Sequence, residues 1–409
     1  MAIRHQASLV KNKMKSMLRL LINIALNIVY AVASLIPKNR KLVLFSAWMG
    51  NRYSDNPRYV FEYLVKNQEK MRCVWITKNK NIAKKMESTK ANVAYAWSIK
   101  GIYLQLRAKV IVFTHEVSTE FISPIIGYTT KRVQTWHGMP IKKIGYDDNL
   151  DKCKNIKLKI VNTLAPHTKN RIDLMISGSK EDGEKYITAF RLNRNVVKVT
   201  GYPRNDRLIS GKKQIKQSRK IIYMPTLRGA PGSNFNGLYN CGFDYLRWDK
   251  FLRDYQYELD IKMHPAQNIG QDEMEKIAQC TNIKLLIDAD DIYNYLGEYD
   301  ILISDYSGVY FDFLLTGKPI VIAAIDLERY QSEDRALYYQ PDDIYVDEPC
   351  RDWSAVMHRL DDYLANPSKQ CMSSRYLTLQ RRFHAHTDSC SSERVANQIM
   401  QLVDRGYSE

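Results

Sequence analysis

The stretch from Ile301 to Pro319 reads ILISDYSGVYFDFLLTGKP and decides the fold of this chain. Its apolar start, which stops at Ser304, is typical of a buried strand, and Asp305 or Ser307 is suited to cap the helix that follows. Gly317, with a proline two residues later, is the usual signal that ends a helix. The stretch therefore predicts one strand–turn–helix unit.

The turn of this unit also indicates a binding function. Backbone amides at Ser307, Gly308 and Val309, together with the helix dipole, would favour a phosphate group. Many strand–helix turns cap their helix without binding a ligand, so both interpretations stay open for this turn.

The same alternation of strand and helix patterns extends along most of the chain. In the first part, apolar or β-branched runs predict strands at Lys41–Ser46, Arg72–Ile76, Val110–Phe113, Arg132–Gln134, Asp173–Ser177 and Val196–Thr200. In the second part they predict strands at Ile221–Met224, Leu259–Met263, Ile283–Ile287, Ile301–Ser304 and Ile320–Ala323. The expected fold is α/β, with two Rossmann-like domains at 40–210 and 221–409 that face a cleft and are joined by a basic linker at 211–220.

Length, charge and cysteine content limit the class of protein. A chain of 409 residues suggests two domains, and 45% hydrophobic residues exclude extensive disorder. The net charge of +17 favours anionic partners. The seven scattered cysteines argue against a disulfide framework or a zinc site and fit a reducing cytoplasm. No HExxH motif is present, and neither a metal nor another cofactor is expected.

Residues 1–39 predict a membrane-associated segment. No acidic residue precedes Asp55, and an apolar run from Leu20 to Ile36 follows a basic tail. Polar residues recur at helical spacing on one face of this run: Arg19, Asn23, Asn27, Tyr30 and Ser34. Such a helix suits an anionic membrane surface, because the run is shorter than the ~20 residues of a bilayer span. A span or secretory signal and a helix packed on the protein's own surface are the alternatives.

The segment Thr135–Asp147, TWHGMPIKKIGYD, predicts a catalytic histidine. His137 comes directly after a predicted strand, and Gly138 lets the backbone bend beside it. A histidine accepts a proton readily near neutral pH, so His137 is a candidate general base. Lys142, five residues later, suits an anionic substrate.

Strand ends in the second domain predict a phosphate-binding group. Thr226 and Arg228 follow the strand Ile221–Met224. A guanidinium can donate two hydrogen bonds at once to the oxygens of one phosphate group. Lys262 and His264 alternate along the end of the next strand and would point toward one ligand. Surface or structural roles are the alternatives for these residues.

Two further segments are suggestive. Arg204, in the sequence GYPRND at 201–206, would either reach a ligand or tie the two domains together. Asp326 and Glu328 follow the strand Ile320–Ala323 and would bind hydroxyl groups of a nucleoside or polyol. Structural roles are equally compatible with both segments.

Five ordered motifs resemble the CDP-glycerol glycerophosphotransferase family, which builds teichoic acids and related polymers: TWHGMPIKKIGYD, GYPRND, YMPTLRG, KMHP and SDYSGVYFDFLLTGKPIVIAAIDLERY. The resemblance covers approximately residues 40 to 400. It implies a GT-B-like fold and a peripheral location at the cytoplasmic face of the cell membrane. The implied reaction transfers glycerol phosphate from CDP-glycerol to a hydroxyl of a lipid-linked or growing-polymer acceptor, with release of CMP, in teichoic-acid-like or capsular polymer synthesis.

The resemblance also implies roles for individual residues. His137 matches the proposed general base, and the positions around the donor pyrophosphate are His264, Arg228, Ser304, Asp305 and Ser307. The implied partners are a CDP-polyol donor, a lipid-linked glycan or polymer acceptor and an anionic membrane surface, with no nucleic acid.

Four positions depart from the family's usual residues: Met139, Leu227, Lys262 and Gly308. These departures keep CDP-ribitol or another polyol donor open. A nucleotide-sugar glycosyltransferase on the same fold is a second interpretation. A non-catalytic basic protein that binds membrane or nucleic acid is a third, from a different class.

Overall fold

The computed structural model describes residue 18 and residues 21–148, 171–210, 218–229, 232–233, 235–287, 291–333, 336–366 and 372–404. The predicted basic tail and most of the predicted linker at 211–220 lie outside these residues. By spatial clustering the chain forms two compact units. The first comprises the described residues within Met1–His137, Asp151–Met175 and Glu393–Glu409, and the second comprises those within Gly138–Leu150 and Ile176–Ser392.

Seven strands form the first sheet, in the order β3-β2-β1-β4-β5-β6-β7. The pairs from β3 to β6 are parallel. The strands are β1 Asn39–Phe45, β2 Arg72–Thr77, β3 Val93–Tyr95, β4 Ala108–Phe113, β5 Lys131–Gln134, β6 Leu174–Ser177 and β7 Val197–Val199. Every predicted strand of this part is confirmed, and Val93–Tyr95 is a strand that the pattern did not predict. Between β1 and β4 the strand order reverses, which creates the switch point at which open α/β sheets bind ligands.

Five parallel strands form the second sheet, in the order β10-β9-β8-β11-β12. They are β8 Lys220–Met224, β9 Glu258–Ile261, β10 Ile283–Leu285, β11 Ile301–Ser304 and β12 Ile320–Ile322. All five predicted strands are confirmed, with shorter C-terminal ends for β9 and β10. The strand order repeats that of the first five strands, so a second switch point lies between β8 and β11.

Helices connect the strands in both sheets, as expected for parallel neighbours. Around the first sheet they are residues 21–35, Asp55–Asn67, Lys80–Ser88, Ile99–Arg107, Val117–Glu120 and Lys180–Phe190. The others are Asp206–Ser210, Tyr245–Tyr255, Gln271–Ala278, Val309–Leu314, Leu327–Glu333, Pro341–Ile344, Trp353–Ala365, Ser374–Phe383 and Ser391–Asp404.

Each sheet contributes its apolar strands to a separate core. Leu44, Val74 and Phe113 are fully buried in the core of the first sheet. Tyr223 and Trp248 belong to the core of the second. Both cores follow from near-continuous apolar runs, which are typical of strands covered on both faces.

The N-terminal helix at residues 21–35 has one face on the protein and an outward face that is apolar. Tyr30 and Ala33 are buried, and the backbone N–H of Tyr128 donates to Ser34 Oγ at 2.8 Å. The outward side chains are strongly exposed, among them Leu21, Ile24, Ile28, Val32 and Leu35. Among the described residues, no helix has both the length and the apolar content needed to cross a membrane.

Candidate active site

His137 lies three residues beyond the end of β5 and is enclosed by aromatic rings of the first unit. The His115 ring stacks on it with centroids 4.6 Å apart and an interplanar angle of 13°. The Trp136 ring stacks at 4.4 Å, and Trp48 is 6.2 Å away. The imidazole itself is only half-buried. The carboxyl ends of β1, β4 and β5 therefore converge on a reachable histidine.

The backbone around His137 is unusual. Trp48, Met49, Asp55 and Trp136 all have positive φ, between 49° and 66°. Such a conformation costs free energy in a non-glycine residue and is frequent at functional sites. Asn56 secures the turn, since its amide nitrogen donates to the carbonyl oxygens of Thr135 and Trp136 at 3.2 Å each. This segment was not predicted as part of the site, although the polar run after β1 was a signal for it.

A buried carboxylate orients the second histidine. Glu120 is fully buried and accepts from the His115 backbone N–H at 2.8 Å and from Thr114 Oγ1 at 2.6 Å. His115 Nδ1 lies 2.8 Å from Thr114 Oγ1 and 3.4 Å from a Glu120 oxygen. Burial raises the pKa of Glu120, and the hydrogen bonds from His115 and Thr114 oppose that shift.

A side chain at Gly138 would meet both an unfavourable backbone conformation and a close neighbour. Its φ is +112°, and a Cβ atom there would lie 2.2 Å from a terminal nitrogen of Arg204. That guanidinium pairs with Asp312, which also accepts from Asn205 at 2.8 Å and from Tyr293 at 2.6 Å. Arg204 therefore has a structural partner and packs directly on the backbone that follows His137.

Arg228 is the centre of a second cluster, at the switch point between β8 and β11. Its guanidinium binds both oxygens of Asp326, at 2.6 and 2.9 Å, and lies 2.8 Å from Asp305. Asp305 also accepts from the backbone N–H and hydroxyl of Thr226 at 2.9 and 2.7 Å. Burial alone would lower the pKa of Arg228, but Asp305 and Asp326 raise it. Asp326, predicted to bind substrate hydroxyls, is here a partner of the arginine.

Two stacked tyrosine rings lie between Lys142 and this cluster. Lys142 Nζ lies 4.7 Å from the centroid of Tyr330, which stacks on Tyr306 at 4.2 Å. The Arg228 guanidinium lies within 5.2 Å of both ring centroids. The segment after His137 is held nearby by backbone pairing, since Lys143 N–H donates to Ala336 O at 2.8 Å. The tyrosines were not predicted as site residues.

The turn after β11 differs from its prediction. The helix begins at Val309, is six residues long and has Gly308 as its N-cap without a side-chain cap, so neither Asp305 nor Ser307 caps it. The Ser304 hydroxyl donates to Met224 O at 3.0 Å, which ties β11 to β8. A Cβ atom on Gly308 would lie 2.9 Å from the Met139 carbonyl oxygen, so glycine is required by a close backbone approach.

His264 and Lys262 lie beyond β9, which ends at Ile261 rather than at the predicted Met263. His264 Nδ1 accepts from the Ala266 backbone N–H at 3.1 Å. In the neutral ring the proton is then on Nε2, which is a hydrogen-bond donor suited to a phosphoryl oxygen. Lys262 is tied through its backbone N–H to Tyr223 O at 2.9 Å.

The structure joins four of the predicted residues of the second unit. Thr226, Arg228, Asp305 and Asp326 form one cluster, whereas Glu328 is exposed and no described contact joins it to them. In the part of the chain that the structure describes, no group of three or more His, Cys, Asp or Glu residues is placed to hold a metal ion.

The chain is similar to a known protein family and to several of its members. The family model of CDP-glycerol:poly(glycerophosphate) glycerophosphotransferase matches residues 28–401. A teichoic acid poly(glycerol phosphate) polymerase of Bacillus spizizenii is 29% identical over 337 residues, 76% of this chain and 81% of that protein. A teichoic acid glycerol-phosphate transferase of Staphylococcus aureus is 29% identical over 348 residues, 79% of this chain and 84% of that protein.

The fold has a counterpart among solved structures. The wall teichoic acid polymerase TagF matches with a TM-score of 0.72 at 20% identity, over 97% of this chain and 99% of that chain. This similarity confirms the predicted α/β fold with parallel sheets.

Proposed function

Because the chain belongs to the CDP-glycerol:poly(glycerophosphate) glycerophosphotransferase family, and is therefore a polyol-phosphate transferase, we propose that it transfers glycerol phosphate from CDP-glycerol to an acceptor hydroxyl. The acceptor is the end of a lipid-linked glycan or growing polymer, and CMP is the second product. A TagF variant that is 19% identical has been soaked with CDPG, which supports this donor.

The observation that carries the proposal is the setting of His137. A half-buried imidazole at the carboxyl end of a parallel strand is held between two aromatic rings and surrounded by residues with positive φ. Proteins maintain such a costly arrangement where function needs a fixed geometry. A proton-accepting role for His137 explains this setting directly.

In the proposed reaction the acceptor hydroxyl gives its proton to His137 and attacks the β-phosphorus of the donor. A new P–O bond forms to the acceptor, and the bond between phosphorus and the bridging oxygen of CMP breaks. His264 would donate from Nε2 to a phosphoryl oxygen, and the positive charge of Lys142 would favour the developing negative charge. Arg228 would keep Asp305 and Asp326 as partners during this step.

The variant His137→Ala tests the role of the base. A positioned base contributes roughly 10²- to 10⁴-fold, so we expect the rate of CMP release to fall by about that factor with the fold retained. The matched control is His358→Ala, which removes an exposed histidine of the helix Trp353–Ala365. Turnover of His137→Ala within a few-fold of the wild type would exclude His137 as the base.

A panel of donors tests the substrate. The protein is incubated with a synthetic lipid-linked acceptor and CDP-glycerol, CDP-ribitol or UDP-sugars, and nucleotide release and product length are measured. CMP release from CDP-glycerol supports the proposal. UDP release alone would instead indicate a nucleotide-sugar glycosyltransferase.

We also propose that the enzyme acts as a peripheral protein at the cytoplasmic face of the cell membrane. The outward apolar face of the helix at residues 21–35 supports this location, because exposed aliphatic side chains favour the headgroup–acyl boundary. An acceptor linked to lipid would then be within reach of an enzyme that does not itself span the bilayer.

A further inference from the structure

A buried row of oxygen atoms ends on the residue that follows His137. The Tyr186 hydroxyl lies 3.0 Å from the carbonyl oxygen of Gly138 and 2.6 Å from the Tyr202 hydroxyl. The Tyr202 hydroxyl in turn contacts Asp182 Oδ2. The side chains of Tyr186, Tyr202 and Asp182 are at most 2% exposed, so bulk water does not reach this row.

A shortage of protons in this row favours the neutral form of Asp182. The row has four contacts, because Tyr186 also hydrogen-bonds to Asp182, and the two tyrosine hydroxyls supply only one proton each. The Gly138 carbonyl supplies none, so a proton on the carboxyl group of Asp182 fills a contact that would otherwise lack one. With Asp182 ionised, two oxygens would face each other without a proton between them, which is costly in a buried site.

Other contacts of Asp182 agree with a neutral carboxyl. Its Oδ1 has no hydrogen-bond partner among the described residues, an arrangement that would penalise a buried carboxylate more than a neutral acid. Burial raises the pKa of Asp182 to about 7, against the opposing hydrogen bonds from Tyr202 and Gly178. The neighbouring titratable groups are Asp312, which raises the pKa further, Tyr339 and, beside Tyr186, Arg204.

A simple capping role does not account for the row. Asp182 lies in the first turn of the helix Lys180–Phe190 and accepts from the Gly178 backbone N–H at 2.8 Å. Capping explains this one bond. Capping requires neither a fully buried carboxyl group nor the hydrogen bonds of Tyr202 and Tyr186 that connect Asp182 with Gly138.

We propose that protonated Asp182 is a positioning residue, which acts through Tyr202 and Tyr186 to hold the Gly138 carbonyl and thereby the backbone beside His137. The inference rests on the proposed function, in which His137 is the general base. A base works only if it is held close to its productive geometry, and small displacements reduce turnover strongly. Loss of the proton from Asp182 removes one link of the row.

Two phenylalanine variants test the effect on turnover. Tyr186→Phe removes the link to Gly138 and keeps the ring, and we expect kcat to fall roughly 10- to 100-fold with KM for CDP-glycerol nearly unchanged. The control is Tyr299→Phe, which removes an equally buried hydroxyl that donates to Asp260 at 2.6 Å in the second sheet. We expect this control to lower stability without lowering kcat. Equal kcat for Tyr186→Phe and the wild type would overturn the proposal.

The pH dependence gives a second readout. Asp182 keeps its proton below about pH 7 and releases it above, so kcat of the wild type should fall as pH rises through about 7. Tyr186→Phe has already lost the link and should lack this decrease. A decrease of the same size in Tyr186→Phe would contradict the positioning role.

Infrared spectroscopy tests the proton itself, without reference to turnover. At pH 6 the wild type should show the carbonyl stretch of a buried carboxylic acid, and the band should be missing in Asp182→Asn. Should that variant fail to fold, Tyr202→Phe should shift the band, because the acid loses its acceptor. Lack of the band in the wild type at pH 6 refutes the inference. Retained activity of His137→Ala would refute the base assignment instead.

Discussion

Gly138 illustrates how one residue meets two separate requirements. Its backbone has φ of +112°, which a side chain disfavours, and the guanidinium of Arg204 occupies the position of the absent Cβ. The sequence indicated the first requirement, because a glycine beside a candidate catalytic histidine suggests a sharp bend. The second depends on Arg204, which lies 66 positions later and could not be assigned as a neighbour from the sequence.

The variant Gly138→Ala should therefore be severely affected. Backbone strain and overpacking together predict a loss of about 2–4 kcal/mol in the free energy of unfolding, with a large loss of turnover. Denaturant titration measures the first quantity. The matched control is Gly242→Ala, where φ is +75° but no atom lies within 4 Å of the new Cβ. It should lose only about 1–2 kcal/mol, and an equal loss in both variants would rule out the contact with Arg204 as the cause.

Arg228 shows the limit of assigning roles from residue type. The sequence placed an arginine and two carboxylates at strand ends, and each was predicted to contact the substrate. The structure pairs them with one another, since a buried charge is stable only with a partner. The cluster therefore positions residues at the switch point.

Replacing Arg228 with lysine keeps the charge and removes the paired hydrogen bonds to Asp326. We expect the free energy of unfolding to fall by about 2–4 kcal/mol, because two buried carboxylates lose a bidentate partner. Arg194→Lys is the control, since Arg194 pairs with Glu184 while 69% of its side chain is exposed. That change should cost less than about 1 kcal/mol. Similar losses in the two variants would show that Arg228 contributes no more to the free energy of unfolding than an exposed arginine does.

At the scale of elements, short periodic runs were sufficient to predict strands. Of the strands that the structure describes, only Val93–Tyr95 was missed. The helix after β11 was predicted correctly, but its cap was not. Gly308 is its N-cap, and the Met139 carbonyl oxygen lies too close to it for a side chain, a contact that the local sequence does not show.

The helix at residues 21–35 carries a prediction of its own. Replacing Ile28 and Val32 with serine should weaken binding to vesicles of phosphatidylglycerol and phosphatidylcholine by at least about tenfold, because each aliphatic side chain contributes roughly 1.5–3 kcal/mol when buried. Both side chains are more than half exposed, so the fold should persist. Leu246→Ser, at a side chain 63% exposed on another helix, is the control. Sedimentation with vesicles measures the effect, and unchanged binding of the double variant would refute the membrane role.

At the scale of the whole molecule, two sheets share one strand order. Each places polar residues at its own switch point: His115 and His137 with the first sheet, and Arg228 and Asp305 with the second. Ligands of open α/β sheets bind at such points. The same topology therefore accounts for two groups of site residues.

Binding of the donor should stabilise the whole protein. At a concentration of 100 times its Kd, CDP-glycerol should raise the free energy of unfolding by about 2.7 kcal/mol, as measured by denaturant titration. His264→Ala should reduce this effect. UDP-sugars at the same concentration serve as controls, and stronger stabilisation by them than by CDP-glycerol would contradict the proposed donor.

The sequence by itself determined the α/β class, eleven of the twelve strands in the described part of the chain and the residue types at the strand ends, because hydrophobic periodicity and turn residues act over short distances. Only the tertiary structure decided which of those residues become partners. Arg228 meets Asp326, Arg204 meets Gly138, and Asp182 reaches Gly138 through two tyrosines. These contacts depend on the spatial order of the strands in the sheets and on the pairing of buried charges. A local sequence pattern contains neither kind of information.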